Sequence, residues 1–276
     1  MSDSKIFFVV GAQKTGTTAL YESIRNCENF ETPKRKEFHL LAEEQPVTKA
    51  KYLFELGVAN GISGDFSPSY LYSKFAAKNI SNYFPDAKII MVLRNPMQRA
   101  FSNMVHCVRL GKDQKLDLDD LLNNEEDRVR NKTALFHYLS KGFYYNQVKR
   151  FTDLFSQEQL LIIPHDQLIA HPTETVSKII NFVGLTESTP PSLERKNTGH
   201  VGKFGFSKNI VLLYNQLNEK GIRIPEALKN LGKRVFLTAP EKPTAEWFKL
   251  KNNELYLEDI QKLEGLIGQD LSSWYK

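Results

Sequence analysis

The stretch Gly11-Ala12-Gln13-Lys14-Thr15-Gly16-Thr17-Thr18 has the residue types of a loop that holds an anion. Glycines let the backbone turn tightly and bring its N–H groups up to a bound group. A helix opening behind the loop adds partial positive charge at its N-terminus. Lys14 adds a full charge, Thr17 and Thr18 add hydroxyls, and Gln13, Thr15 and Gly16 complete the cradle. The chemistry is phosphate binding. The order differs from the usual magnesium-nucleotide loop, which ends in Gly-Lys-Ser/Thr. Here the lysine precedes the second glycine, which argues against a Mg²⁺-dependent NTPase and leaves an ATP/Mg²⁺-dependent kinase as the second reading.

The elements that must carry such a loop are legible on either side of it. Ile6–Val10 is a short unbroken apolar run, as expected of a strand buried on both faces. Ala19–Ile24 opens an amphipathic helix. Lys88–Leu93 (KIIMVL) and Leu160–Ile163 (LLII) repeat the strand pattern, and Thr173–Val183 reads as another helix. Asn95-Pro96 marks a helix start after the second strand, with Phe101, Val105, Val108 and Leu110 on its inner side. Alternating short apolar strands and helices imply an α/β fold with a parallel sheet flanked by helices. Asp113–Arg130 reads as a charged surface helix with loops, and Gly221–Pro243 as an insertion. Neither is long enough for a domain of its own, so 1–276 is read as one domain.

Composition sets outer limits. Of 276 residues, 41% are hydrophobic and 25% charged, an ordinary globular balance that excludes a disordered or fibrous chain. Lys plus Arg is 37 against 32 for Asp plus Glu, a net charge of +5 that suits an anionic ligand. The positive charge is spread out and no recognition motif for nucleic acid appears. Two cysteines, Cys27 and Cys107, exclude a disulfide scaffold and fit a reducing compartment. The histidines lack metal-ligand spacing, so no metal is expected. No segment approaches the ~20 apolar residues of a membrane span. The expectation is a cytoplasmic protein; the pattern sets no oligomeric state.

Two motifs together carry a resemblance. GAQKTGTTALYESI resembles the 5′-phosphosulfate loop of sulfotransferases that use 3′-phosphoadenylyl sulfate (PAPS). Ile89–Pro96 followed by Gln98-Arg99-Ala100-Phe101-Ser102 resembles their 3′-phosphate motif, in the same strand-to-helix context and the same order. Gly64-Asp65-Phe66-Ser67-Pro68-Ser69-Tyr70 is similar to the family's Gly-Glu-x-Ser/Thr-Pro-x-Tyr element, Tyr144–Leu185 to its Tyr-x-x-Gln through Phe-x-Gly-Leu stretch, and Leu255–Trp274 to the C-terminal helix of bacterial members. The style is that of the heparan-sulfate-type and free-standing bacterial enzymes. The resemblance implies a P-loop NTPase-like three-layer sandwich. It also implies transfer of a sulfuryl group from PAPS to a hydroxyl or amine of a carbohydrate or small molecule, releasing adenosine 3′,5′-bisphosphate (PAP), without a metal.

Residue by residue, the resemblance gives Lys14, Thr17 and Thr18 to the 5′-phosphate and Arg94 and Ser102 to the 3′-phosphate. Arg94 lies at the carboxyl end of a strand, where open α/β sheets bind ligands, and its fork suits phosphate; an ion pair at the strand end is its competing use. Lys36-Glu37-Phe38-His39 resembles the Lys-Glu-x-His element whose Glu is the general base. Glu37 and His39 alternate by two, so both point to one side of an extended segment, and such a pair can take a proton from an acceptor. Asp65 is the rival base, or else the residue that fixes the turn before Ser67-Pro68. Phe66 departs from the family, which tends to place a donor-contacting lysine there; Lys34 or Lys36 can replace that charge, and a non-catalytic PAP-binding protein is the third reading. Gly202 and Lys203, in the Asn197–Gly205 loop, can close over the 3′-phosphate, and loops between Asp113 and Lys141 shape the acceptor site. Tyr138, Phe143, Tyr144 and Tyr145 are read as core.

Overall fold

A computed structural model describes residues 5–58, 61–110, 112–113, 117–187, 201–202, 237–238 and 243–276, with backbone alone at 201–202 and 237–238. They fall into two compact units. One comprises Met1–Asn95, Phe143–Lys196 and Asn252–Lys276; the other comprises Pro96–Gly142 and Asn197–Lys251.

The first unit is built on four parallel strands, β1 (Lys5–Gly11), β2 (Ile62–Asp65), β3 (Lys88–Leu93) and β4 (Leu160–Pro164), in the order β2-β1-β3-β4. The unbroken apolar runs of β1 and β3 follow from burial on both faces, since successive side chains go to opposite sides. On one face Phe7, Val9, Ile90, Val92, Leu161 and Ile163 pack under α1 (Thr17–Ile24), α8 (His165–Ala170) and α9 (Pro172–Val183). On the other, Phe8 lies against Tyr52 of α2 (Lys49–Leu56), Tyr70, and Phe84 just after α3 (Ala76–Tyr83). Three layers result, as the alternation of strands and helices implies.

One strand is missing from the sequence pattern. β2 reads Ile-Ser-Gly-Asp and has no hydrophobic run, yet Lys5 to Phe8 pair with Ile62 to Asp65 along its full length. Gly64 belongs there because a Cβ would sit 2.5 Å from the Phe7 ring. The helices α2 and α3 also lie outside the sequence reading. In the C-terminal part, α10 (Ala245–Ile267) starts well before Leu255, and a 3₁₀ turn, Ser272–Trp274, follows. The Trp274 carbonyl accepts from Asn252 (2.7 Å) and Asn95 (3.3 Å), which ties the segment after α10 to a residue two positions past β3. Asp259 accepts from the Tyr144 and Tyr145 N–H groups at 2.6 and 3.1 Å, at the start of α7 (Tyr145–Thr152).

In the second unit, α4 (Pro96–Arg109) begins at Pro96 as expected. Its buried face runs through Met97, Ala100, Phe101, Met104, Val105 and Cys107, whereas Val108 and Leu110 stay half-buried. The charged stretch after Asp113 is two short helices, α5 (Leu118–Asn123) and α6 (Glu125–Asn131), broken at Asn124. Asp117 caps the first through the Asp119 and Asp120 N–H groups, at 2.9 and 3.2 Å. Glu125 accepts from the Tyr138 and Ser140 N–H groups at 3.0 and 2.7 Å, which fixes the turn ahead of the buried Lys141. β5 (Val201–Gly202) pairs antiparallel with β6 (Leu237–Thr238). Of the four aromatics read as core, Tyr138 and Tyr144 are fully buried, Tyr145 half-buried and Phe143 exposed. Most of the Gly221–Pro243 stretch lies outside the described residues.

Phe66 follows β2 and turns into the core cluster that contains Phe7 and Tyr21. Its ring meets Tyr21 at 5.1 Å and Phe7 at 5.6 Å, both edge-on, with no exposed surface. Phe66→Ala should therefore cost about 3–5 kcal/mol, the range for deleting a buried phenyl ring. Denaturant unfolding checks this, and a cost under about 1 kcal/mol would show that the ring is not part of the core.

Candidate active site

The loop after β1 is held through its peptide groups. Gly16, at the N-cap of α1, has φ 84°, and Lys14 has φ 74°. Both lie in the left-handed region, and for Lys14 that conformation needs support. Three bonds supply it. The Ala12 N–H donates to Val92 O on β3 at 2.7 Å, and Thr15 Oγ1 donates to Ala12 O at 2.7 Å. Arg94, just past the end of β3, donates Nη1 to Lys14 O at 3.1 Å. No side chain caps the N-terminus of α1, so its first N–H groups face outward as an anion cradle does. Thr15 and Thr17 are buried, Gln13 and Lys14 half-buried, and Gly16 and Thr18 exposed at the mouth.

Beside this loop sits a hub made of one carboxylate. Asp65 is fully buried at the end of β2. Its Oδ1 accepts from Ser67 Oγ at 2.5 Å, and its Oδ2 accepts from Tyr52 OH at 2.9 Å and Tyr70 OH at 2.8 Å. Burial pushes its pKa up, the three hydroxyls pull it back, and the net shift is upward. Burial and the Asp65 charge together raise Tyr52 and Tyr70 as well, so both phenols stay protonated donors. Ser67 Oγ in turn accepts from the Phe38 and His39 N–H groups at 2.8 and 3.0 Å, and the Phe66 N–H donates to Lys36 O at 3.0 Å. Residues 36–39 are thereby fixed in place from behind.

On the outer side of that segment the charged groups meet. Glu37 Oε1 lies 2.5 Å from Lys36 Nζ, and Glu37 Oε2 lies 3.2 Å from His39 Nε2. His39 Nδ1 is 2.6 Å from Ser69 Oγ. Lys36 Nζ also donates to Thr18 Oγ1 on the first turn of α1, at 2.8 Å. Glu37 and His39 share a side, as their spacing implies, but the segment is a bend and not a strand. His39 has φ 59°, and Phe38 between them turns inward against Tyr52 at 6.2 Å. Partial burial pushes the Glu37 carboxyl up, but the hydrogen bonds and charges of His39 and Lys36 outweigh it and hold the group below the usual glutamate value.

The placement of each expected residue is then clear. Gln13, Lys14, Thr15, Gly16, Thr17, Thr18, Glu37, His39, Asp65 and Arg94 all belong to the first unit. Ser102 is half-buried on α4 in the second unit, Gly202 lies in β5 of that unit, and Lys203 lies outside the described residues. Of the lysines able to replace a charge at position 66, Lys34 turns to α2, bonding Phe54 O at 2.8 Å above the Phe54 ring, whereas Lys36 reaches the loop. Tyr52, Ser67, Ser69 and Tyr70 are supporting residues that spacing alone does not single out. Among the described residues no group of three or more His, Cys, Asp or Glu is placed to hold a metal ion, and no helix is long and apolar enough to cross a membrane.

Comparison with known proteins bears on this arrangement. The family model described as "Sulfotransferase domain" matches residues 4–198. The bifunctional heparan sulfate N-deacetylase/N-sulfotransferase 4 of Mus musculus is 30% identical over 194 residues, covering 65% of this chain and 22% of that protein. The N-deacetylase/N-sulfotransferase 3 of Homo sapiens is 28% identical over 200 residues, with the same coverage of 65% and 22%. The chain thus spans about a fifth of the length of these relatives. Among solved structures, a sulfotransferase from Alicyclobacillus acidocaldarius superposes with a TM-score of 0.73 at 23% identity, over 100% of both chains, and shares the fold.

The Glu37 arrangement carries a pH signature. A carboxyl whose folded pKa is depressed contributes stability that is fully present above its ordinary value of 4.5 and is lost as pH falls through the folded value. The stability difference between the wild type and Glu37→Gln should therefore be constant above that value and shrink below it. Chemical denaturation from neutral to acid pH measures it. A difference that grew on acidification would mean that the carboxylate is not held by its cationic neighbours.

Proposed function

The chain belongs to the sulfotransferase domain family, and on that premise we propose that it moves a sulfuryl group from PAPS to a carbohydrate hydroxyl or amine, releasing PAP. One observation carries the reading: the Glu37–His39 pair hangs beside the mouth of the phosphate loop, joined to Thr18 by the single side chain of Lys36. A proton acceptor and an anion cradle in that relation suit a transfer between two bound substrates. The relatives' names join heparan sulfate to N-sulfotransferase activity, which supports a sugar amine or hydroxyl as the acceptor over a small-molecule alcohol.

In this mechanism the acceptor attacks sulfur in line with the leaving 5′-phosphate. An O–S or N–S bond forms, the S–O bond to phosphate breaks, and its electron pair goes to the phosphate oxygen. Lys14 and the N–H groups from Gly16 to Thr18 stabilise the charge that develops there, as fixed dipoles aimed at a growing anion do. Glu37 takes the acceptor proton, held in orientation by His39. Asp65 anchors: its two oxygens already hold three hydroxyl protons, so it positions residues 36–39. Arg94 and Ser102, with Gly202 and Lys203, serve the 3′-phosphate. Both compact units then act as one sulfotransferase domain, 1–276. The free, buried thiols of Cys27 and Cys107 support a reducing, cytoplasmic setting.

The kinase reading has less support, because Lys14 precedes Gly16 where a magnesium-nucleotide loop needs Gly-Lys-Ser/Thr. The non-catalytic reading rested on Phe66, and Lys36 supplies a cation at the loop in its place.

Thermal unfolding separates these readings. PAP at a hundred times its Kd should stabilise the protein by about 2.7 kcal/mol, with a much smaller effect from 5′-AMP. A shift with Mg-ATP and none with PAP would sink the proposal. Lys14→Ala should lower kcat by about 10²–10³-fold and weaken PAP binding far less, since it acts on charge that develops during transfer. Equal losses in both would assign Lys14 to ground-state binding.

A further inference from the structure

Both oxygens of the proposed base are occupied. Oε2 faces His39 Nε2 and Oε1 faces Lys36 Nζ. Each oxygen keeps a second lone pair, but a carboxylate held by an ammonium takes up a proton less readily, so a partner that leaves makes it a stronger base. His39 cannot easily do so: its ring is bonded to Ser69 on the far nitrogen, and its own N–H is bonded to Ser67. Lys36 has its carbonyl fixed by the Phe66 N–H, but its ammonium rides on a flexible four-carbon stem. That ammonium already touches Thr18 Oγ1, on the uncapped first turn of α1.

Resting on the PAPS reading above, we propose that Lys36 gates the base: it pairs with Glu37 in the empty site, and the 5′-phosphate group of the bound sulfuryl donor draws it away, freeing Glu37 Oε1 for the acceptor. Two features support the exchange. A 5′-phosphate or phosphosulfate beside Thr18 brings more negative charge than one carboxylate, and it arrives where the ammonium is already anchored. Glu37, for its part, keeps its contact with His39 and loses only the ammonium. The consequence is order. With no donor bound, the base stays paired; with donor bound, it gains proton affinity at the moment an acceptor can be sulfated. By linkage the effect is reciprocal, so loss of the Glu37 charge strengthens donor binding through Lys36.

Among the described residues, the charged and titratable groups facing Glu37 are Lys36 and His39 on its own segment. Thr18 from α1 and Ser69 after β2 are uncharged, and Asp65 lies behind the Ser67 hydroxyl. The donor therefore changes the environment of Glu37 through Lys36.

Calorimetric titration with PAP tests the gate on the full chain and three variants, Lys36→Met, Glu37→Gln and the double substitution. Lys36→Met should weaken PAP binding by about tenfold, the effect of losing one hydrogen bond to a charged group. Glu37→Gln should tighten it severalfold while Lys36 is present, and by clearly less in the double variant. Near pH about 5, titrations in buffers of different ionisation enthalpy should show more proton uptake for the wild type than for Glu37→Gln, since freeing the carboxylate raises its proton affinity. Lys36→Arg, which keeps the charge, should restore most of the affinity lost in Lys36→Met. If Lys36→Met binds PAP as tightly as the wild type, or if Glu37→Gln gains as much without Lys36 as with it, the gate is wrong and the PAPS reading stands. If the wild type does not bind PAP at all, the PAPS reading falls, and the gate with it.

Discussion

A carboxylate with no access to water must find its partners within the fold, and Asp65 imposes that demand on everything around it. Left unpaired, the buried charge would be prohibitively costly. Three hydroxyls, from Tyr52, Ser67 and Tyr70, meet it. They come from separate places: Tyr52 from α2 on one face of the sheet, Ser67 and Tyr70 from the turn that follows β2. Satisfying one side chain therefore docks a helix, closes a turn and, through Ser67, fastens the backbone at Phe38 and His39. Each hydroxyl bond to the ion is stronger than a neutral one. The network is complete, which is the condition under which a buried polar cluster specifies structure instead of weakening it.

The same region shows how one segment divides its work between core and site. Asp65 and Phe66 are neighbours on an extended chain, so they leave it on opposite faces: the carboxylate into the hydroxyl network, the ring between Phe7 and Tyr21. Phe38 and its neighbours repeat the division, with the ring inward on Tyr52 and Glu37 and His39 outward. Position 66 faces the wrong way to place a charge at the phosphate loop. The cation comes instead from Lys36, on a segment whose position the carboxylate network sets.

What could be read from the chain follows from which contacts are local. The phosphate loop is a strand, a turn and a helix in immediate succession, so its residues announce it. Pro96 marks the start of α4 for a similar reason, being placed where a missing N–H costs nothing. β2 announces nothing, because Ile62-Ser63-Gly64-Asp65 is chosen by its neighbours: Gly64 by the Phe7 ring, Asp65 by hydroxyls from elsewhere. Glu37 and His39 could be singled out by type and spacing, but their geometry comes from a bend with a left-handed residue at His39. The Lys36–Thr18 bond joins positions 18 residues apart, and the bond from Arg94 to the Lys14 carbonyl joins positions 80 apart. No periodicity carries information of that kind.

Preorganisation requires that catalytic groups be held before substrate arrives, since reorienting dipoles during reaction costs what they would have contributed. The phosphate loop meets this requirement through backbone: Val92, the Thr15 hydroxyl and Arg94 each fix one of its peptide groups, and they support a left-handed Lys14 that would otherwise be unfavourable. The Glu37–His39 segment meets it through Asp65 and Ser67. Between the two stands Lys36, whose main-chain carbonyl accepts from the Phe66 N–H and whose ammonium is shared between Thr18 and Glu37. Because both sides are held by their own hydrogen bonds, that ammonium sits at a defined place between the loop and the carboxylate.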